Sequence, residues 1–243
     1  MNDRITKALR WLKEHDKRNE IECIGETIIL SILSYHVPLS DTAKELLIRS
    51  ADNCVVKDDV DRAFVSYAKS CANSSPLTRI SLGIPPKATM DTLMKLSLTS
   101  CAFDEYQKSQ YEITLDNCFG HLKMHHKGEF DFYFLCHYVM AVTAFGAIEV
   151  HPEDALSMNS VIEMGSRGFP NNMDLLTEFY LTQLYLGVLD TEKAIKHLES
   201  TQLEDGSFDR GSAQYDSNLH STLMALWLMA EIIGERNDNH QCI

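Results

Sequence analysis

Five ionisable residues sit in the most apolar helical stretches of this chain: Glu26, His137, Asp174, Glu178 and His220. Imidazoles and carboxylates are the donor set of a metal centre. Two imidazoles with one carboxylate leave coordination positions open for substrate, as in non-haem iron and catalytic zinc sites. Asp174 and Glu178 are at i, i+4, so they share one helix face. The expected site therefore has His137 and His220 as metal ligands, Asp174 or Glu178 as the third ligand, and Glu26 and Glu178 as catalytic carboxylates, with Glu26 either a ligand or a general base. The ion, iron or zinc, would act as a Lewis acid or activate water or dioxygen. A lone histidine in an apolar helix is more often a hydrogen-bonded core residue. The recurrence of such groups at one repeat position argues for the metal, because buried ionisable groups cluster at functional sites.

Helical periodicity must supply the elements that carry these residues. The pattern predicts helices over 3–15, 20–36, 40–53, 57–72, 88–103, 109–126, 130–147, 152–165, 172–188, 190–203 and 217–234, and almost no strand. Ser40-Asp41 and Asp190 read as helix starts, and Pro152-Glu153-Asp154 as a helix opening. Nearly apolar helices alternate with charged amphipathic ones. His137 precedes Gly146 by nine residues and Glu178 precedes Gly187 by nine; His137 to Glu178 is 41 positions and Glu178 to His220 is 42. Dividing the 194 positions from Glu26 to His220 into five steps gives a period of about 39 and six helical hairpins. Closed on themselves, six hairpins make an α/α barrel with the apolar helices inside and the five ionisable residues at one mouth. The second and third repeats are degenerate.

The C-terminal hairpin carries the clearest motif. Gln202-Leu203-Glu204-Asp205-Gly206-Ser207-Phe208 is followed by Asn218-Leu219-His220-Ser221-Thr222. Asp205-Gly206 and Gly211 suit a tight connection needing positive φ, and Phe208 can fold back as an apolar plug. The Gln-x-x-Asp-Gly-Ser-aromatic pattern resembles the turn of the α/α-toroid proteins, the terpenoid cyclases and the protein prenyltransferase β subunits, over roughly the last forty residues. In the prenyltransferases a His-Thr-x-Tyr helix start supplies a zinc ligand, and His220-Ser221-Thr222 is similar to it. The cyclases' Asp-x-Asp-Asp motif is absent, and the prenyltransferases' Asp-x-Cys pair has no counterpart. Phe145-Gly146, Asp174 with Glu178, and His220 also resemble, in that order, small bacterial α/α-barrel proteins of natural-product pathways. These resemblances imply a single α/α-toroid domain over 1–243 and a biosynthetic role.

Composition sets outer limits. With 243 residues, 44% of them apolar, the chain can build one large core. Its formal charge of −13, with 22 scattered Lys and Arg against 35 acids, argues against nucleic acid as a partner. Seven cysteines without a Cys-x-x-Cys pair read as free thiols in a reducing cytoplasm, and the N-terminus lacks a signal-peptide pattern. Phe132 to Ile148 has no charged residue, but acids flank it and His137 interrupts it, so it reads as a buried helix and not a membrane span. Walker, Gly-x-Gly-x-x-Gly, Gly-x-Ser-x-Gly and His-Glu-x-x-His motifs are all missing.

Other groups have plainer readings. His121, His125 and His126 have helical ligand spacing but stand beside Lys123 and Lys127 on a solvated face. Asp58, Asp59 and Asp61 complement a helix N-terminus. Cys136 points away from His137 into the core. Arg79 and Arg167, on loops near the mouth, are candidates for binding a carboxylate or phosphate. The aromatic set Phe132, Tyr133, Phe134, Tyr138, Phe179, Tyr180 and Trp227 would line or pack the barrel. The expected function is that of a metal-dependent biosynthetic enzyme acting on a small or peptidic metabolite. The alternatives are a non-catalytic toroid module holding a protein partner or a carrier-bound intermediate and, more weakly, a terpenoid-type cyclase.

Overall fold

The structure, a computed structural model, describes residues 1–16, 24–34, 36, 40–75, 82–86, 88–122, 129–166, 172–209 and 218–234. Among these residues it is all-helical. Eleven α-helices follow in chain order: α1 Asn2–Asp16, α2 Ile24–Leu33, α3 Ser40–Asn53, α4 Asp59–Ala72, α5 Met90–Thr99, α6 Glu105–Leu122, α7 Glu129–Val142, α8 Pro152–Ser166, α9 Met173–Tyr185, α10 Thr191–Thr201 and α11 Leu219–Ile233. A short 3-10 turn, Ser100–Ala102, extends α5. The isolated bridge between Gln202 and Phe208 belongs to the C-terminal turn.

Local chemistry sets several of these boundaries. Asp58, Thr89, Asn172 and Asp190 each accept a hydrogen bond from a backbone N–H of the first turn they precede, in α4, α5, α9 and α10. α7 and α9 run into glycines with positive φ, Gly146 at +83° and Gly187 at +70°, a conformation that costs a residue with Cβ about 1–2 kcal/mol. The nine-residue spacing from His137 and from Glu178 to these glycines does not mark equivalent helix ends: α9 runs to Tyr185, just before Gly187, whereas α7 stops at Val142, and Ala144 and Phe145 already have positive φ ahead of Gly146.

The helices differ in how much of their surface they hide. In α11, Leu223, Leu226, Trp227 and Leu228 are at most 1% exposed, and Leu219 through Ala230 are buried except for His220. A helix apolar on all sides must be covered on all sides, and α11 touches α1, α2, α9 and α10. Each fully buried Leu there contributes about 1.5–3 kcal/mol of transfer free energy. Helix contacts run in a cycle: α2 packs on α4, α4 on α5, α5 on α7, α7 on α9, α9 on α11, and α11 on α2. The more amphipathic α3 touches α2 and α4, α8 touches α7 and α9, and α10 touches α11.

The C-terminal turn ties the ends of the chain together. Gln202 Nε2 donates to the carbonyls of Arg4 and Gly206, and Arg4 donates back to Gln202 Oε1. Asp205 Oδ1 accepts from both the N–H and the hydroxyl of Ser207. Phe208 is fully buried, its N–H donating to Thr222 Oγ1 and its carbonyl accepting from Ser221. The turn thus pins the first residues of α11, which carry His220. No helix among the described residues is long and apolar enough to cross a membrane. Cys136 is buried, as its helical phase requires, and Cys54, Cys71 and Cys136 are free thiols.

Candidate metal centre

Four helices present their first turns to one cavity of about 440 Å³: Glu26 from α2, Asp91 from α5, Asp174 from α9 and His220 from α11 all line it. His137 and Tyr133 of α7 and Glu178, one turn further into α9, complete the polar wall. Ile28, Ile29, Met94, Met224 and Trp227 form the apolar one. Every site residue expected from the sequence, Glu26, His137, Asp174, Glu178 and His220, lines this cavity.

The side chains pair across helices. His220 Nδ1 lies 3.2 Å from Glu26 Oε1, and its Nε2 lies 3.3 Å from Asp174 Oδ1. His137 Nε2 lies 3.0 Å from Glu178 Oε1. The Tyr133 hydroxyl donates to Asp174 Oδ2. Asp174 and Glu178 have side chains only 1% exposed. Glu178 Oε2, also buried, has no hydrogen-bond partner among the described residues, an arrangement that ordinarily costs about 1–3 kcal/mol, and more for a charged group. Asp174, Glu178 and His220 each offer one ligand atom, and those atoms all lie within 4.8 Å of one another. His137 reaches this trio through Glu178.

Electrostatics follow from the same contacts. Burial acts to lower the basicity of His220, but the Asp174 and Glu26 carboxylates reverse it and lift the ring to about 10. Burial likewise disfavours the cationic form of His137, and Glu178 overrides it, raising that ring above the usual histidine range. Glu178 itself is pushed up by burial and by Asp174, with His137 and His220 opposing. Cys136 is driven well up by burial and by Glu178, which makes it an inert thiol.

Tyr133, expected from the sequence to line or pack the barrel, is a polar partner in the site. The signal was present: Tyr133 to Asp174 and His137 to Glu178 are both steps of 41 residues, so the repeat that relates one pair relates the other. Asp91 was not singled out, because α5 belongs to the degenerate repeats. Asp58 caps α4, in line with the expected role at a helix start, whereas Asp61 accepts from Lys57 N–H and also forms a buried ion pair with Lys95, which the sequence reading did not assign. Residues His125, His126, Arg79, Arg167 and Gly211, and the side chain of His121, lie outside the described residues.

A hard or borderline divalent ion fits the trio, which offers two carboxylates and one imidazole and no thiolate. The Nδ1 side of His220 faces Glu26, the arrangement by which an outer carboxylate fixes the tautomer of a ligating histidine. No protein-family model, no curated protein and no solved structure matches the chain.

Proposed function

We propose that the chain is a metal-dependent enzyme, an α/α toroid whose mouth holds a divalent ion, iron or zinc, beside a small or peptidic metabolite undergoing a biosynthetic modification. The observation that carries this reading is the convergence of Asp174, Glu178 and His220 within 4.8 Å in a cavity, with buried Glu178 Oε2 lacking a hydrogen-bond partner among the described residues. The cycle of helix contacts is what supports the toroid.

In this reading Asp174 Oδ1, Glu178 Oε2 and His220 Nε2 are the inner donors. Each ligand has a second atom held by a residue of another helix: Asp174 by Tyr133, Glu178 by His137 and His220 by Glu26. Such outer partners orient ligands and tune their basicity. His137 and Glu26 thereby become orienting groups, and Glu178 couples the ion to the His137 proton. The ion would supply Lewis acidity or an activated water to a substrate lying against Met94, Met224 and Trp227.

A second reading, a non-catalytic module, is favoured by one observation: both nitrogens of His220 already face carboxylates, so the ring has partners without an ion. Elemental analysis of protein purified without a His tag separates the two. Near-stoichiometric zinc or iron supports the metal site. Its absence, with no uptake on reconstitution, overturns it.

A further inference from the structure

The described lining of the cavity holds four carboxyl groups, from Glu26, Asp91, Asp174 and Glu178, against two imidazoles and no Lys or Arg. Acidic groups thus outnumber basic ones by two in this lining, so an anionic ligand enters against repulsion, and burial magnifies that effect by removing the screening of water.

Two features direct the positive charge to one end of the ligand. Asp91 stands at the rim with its side chain 65% exposed. The nearby cation, Lys95, lies 3.7 Å from Asp91 but 2.7 Å from Asp61, within whose buried ion pair its charge is already engaged. Ile28, Met94, Met224 and the Trp227 indole give the same cavity apolar and aromatic surface. The indole is held in place by its N–H, which lies 2.9 Å from the Tyr185 hydroxyl and 3.2 Å from Glu231. A face of Trp or Tyr adds attraction for a cation. Within this wall Glu178, 1% exposed, has an Oε2 with no hydrogen-bond partner among the described residues, an acceptor open to the ammonium where no ion takes it.

We propose that the organic ligand of this pocket is a small apolar molecule bearing a protonated amine, seated with its body against Trp227 and Met224 and its ammonium toward the acidic wall and Asp91. The inference rests on reading this cavity as the ligand site, and it holds with or without the ion.

The test is calorimetry with three probes that differ only in their head group: 2-phenylethylamine, 2-phenylethanol and phenylacetate. Each is titrated into the full chain as purified and again after dialysis against EDTA, with metal content measured in both samples. The amine is expected to bind at least about tenfold more tightly than the alcohol in both samples, with no binding of phenylacetate, and Asp91→Asn is expected to reduce that preference. Equal or tighter binding of phenylacetate, no preference for the amine, or no binding of the amine overturns the proposal. Amine selectivity in a chain that takes up no metal removes the metal reading and leaves this one. Metal uptake without amine selectivity does the reverse.

Discussion

Nε2 of His220 lies 3.3 Å from Oδ1 of Asp174, and each residue is the second of its helix, α11 and α9. Two neighbouring helices therefore meet N-terminus to N-terminus at this contact. The contact is fixed by the turn that pins α11 through Phe208 and by the Asn172 cap that starts α9. The remaining site contacts, from Tyr133, His137 and Glu26, brace these two residues and Glu178 from α7 and α2.

The bracing residues should tune metal affinity without being required for the fold. Tyr133→Phe and His137→Ala are each expected to weaken zinc binding by about 10–100-fold in a chelator competition, with far-UV circular dichroism unchanged. His137→Gln, which keeps a donor for Glu178, should recover part of the loss. Wild-type affinity in Tyr133→Phe would contradict the assignment of its hydroxyl to Asp174.

Stability without metal should fall as pH rises. The His220 ring is about 10 in the fold against an ordinary value of 6.5, so its contribution is complete below pH 6.5 and lost as pH rises through about 10. His137 and Glu178 are shifted upward as well, which adds to the same sign. Asp61 is shifted down from 3.8, and its opposite effect lies below this window. The Tm of EDTA-treated protein is expected to decline from pH 6.5 to 10, and metal affinity to rise over the same range as the His220 proton becomes easier to displace. A Tm that climbs over this interval contradicts the site electrostatics.

Most of the helices were legible because their apolar faces recur with a period of 3.6 and their starts carry Asp, Asn or Pro. The site was legible because ionisable residues stand out in apolar helices. Register was harder to read. A step of 42 sets His220 level with Glu178, whereas helix starts set it level with Asp174, because the step from the start of α9 at Met173 to the start of α11 at Leu219 is longer than that period. Tyr133 was missed because an aromatic side chain in an apolar helix ordinarily packs, and its hydroxyl contact depends on the neighbouring helix. The pairing of Lys95 with Asp61, between residues 34 apart, follows from the contact of α5 with α4 and leaves no periodic trace in the sequence.

That pair provides a test of the fold away from the site. The side chains of Lys95 and Asp61 are 7% and 5% exposed, and Asp61 also accepts from Lys57 N–H. Lys95→Met should destabilise the chain by about 3–5 kcal/mol in urea unfolding, since it strands a buried carboxylate, and adding Asp61→Leu should restore most of the loss. A single-variant effect below about 1 kcal/mol would mean that Asp61 finds water or another partner.

Two glycines should respond differently to a methyl group. At Gly187, φ is +70° and a Cβ meets nothing within 4 Å, so Gly187→Ala should cost only the backbone strain, about 1–2 kcal/mol. At Gly206, φ is +100° and a Cβ would lie 2.6 Å from the carbonyl oxygen of Lys7. Gly206→Ala should therefore lower Tm further, because the turn must part from α1. The reverse order would contradict the docking of that turn.

The central claim is that His220 binds an ion together with Asp174 and Glu178, and metal stoichiometry in His220→Ala tests it most directly. Wild-type and variant protein are reconstituted with zinc or iron, desalted, and analysed for metal and for melting temperature. The account predicts about one ion per chain in the wild type and almost none in the variant, with helicity retained because the core is built from apolar contacts elsewhere. A variant that loses about 1–3 kcal/mol of stability while its metal content stays unchanged would show His220 to be a core residue and contradict the site.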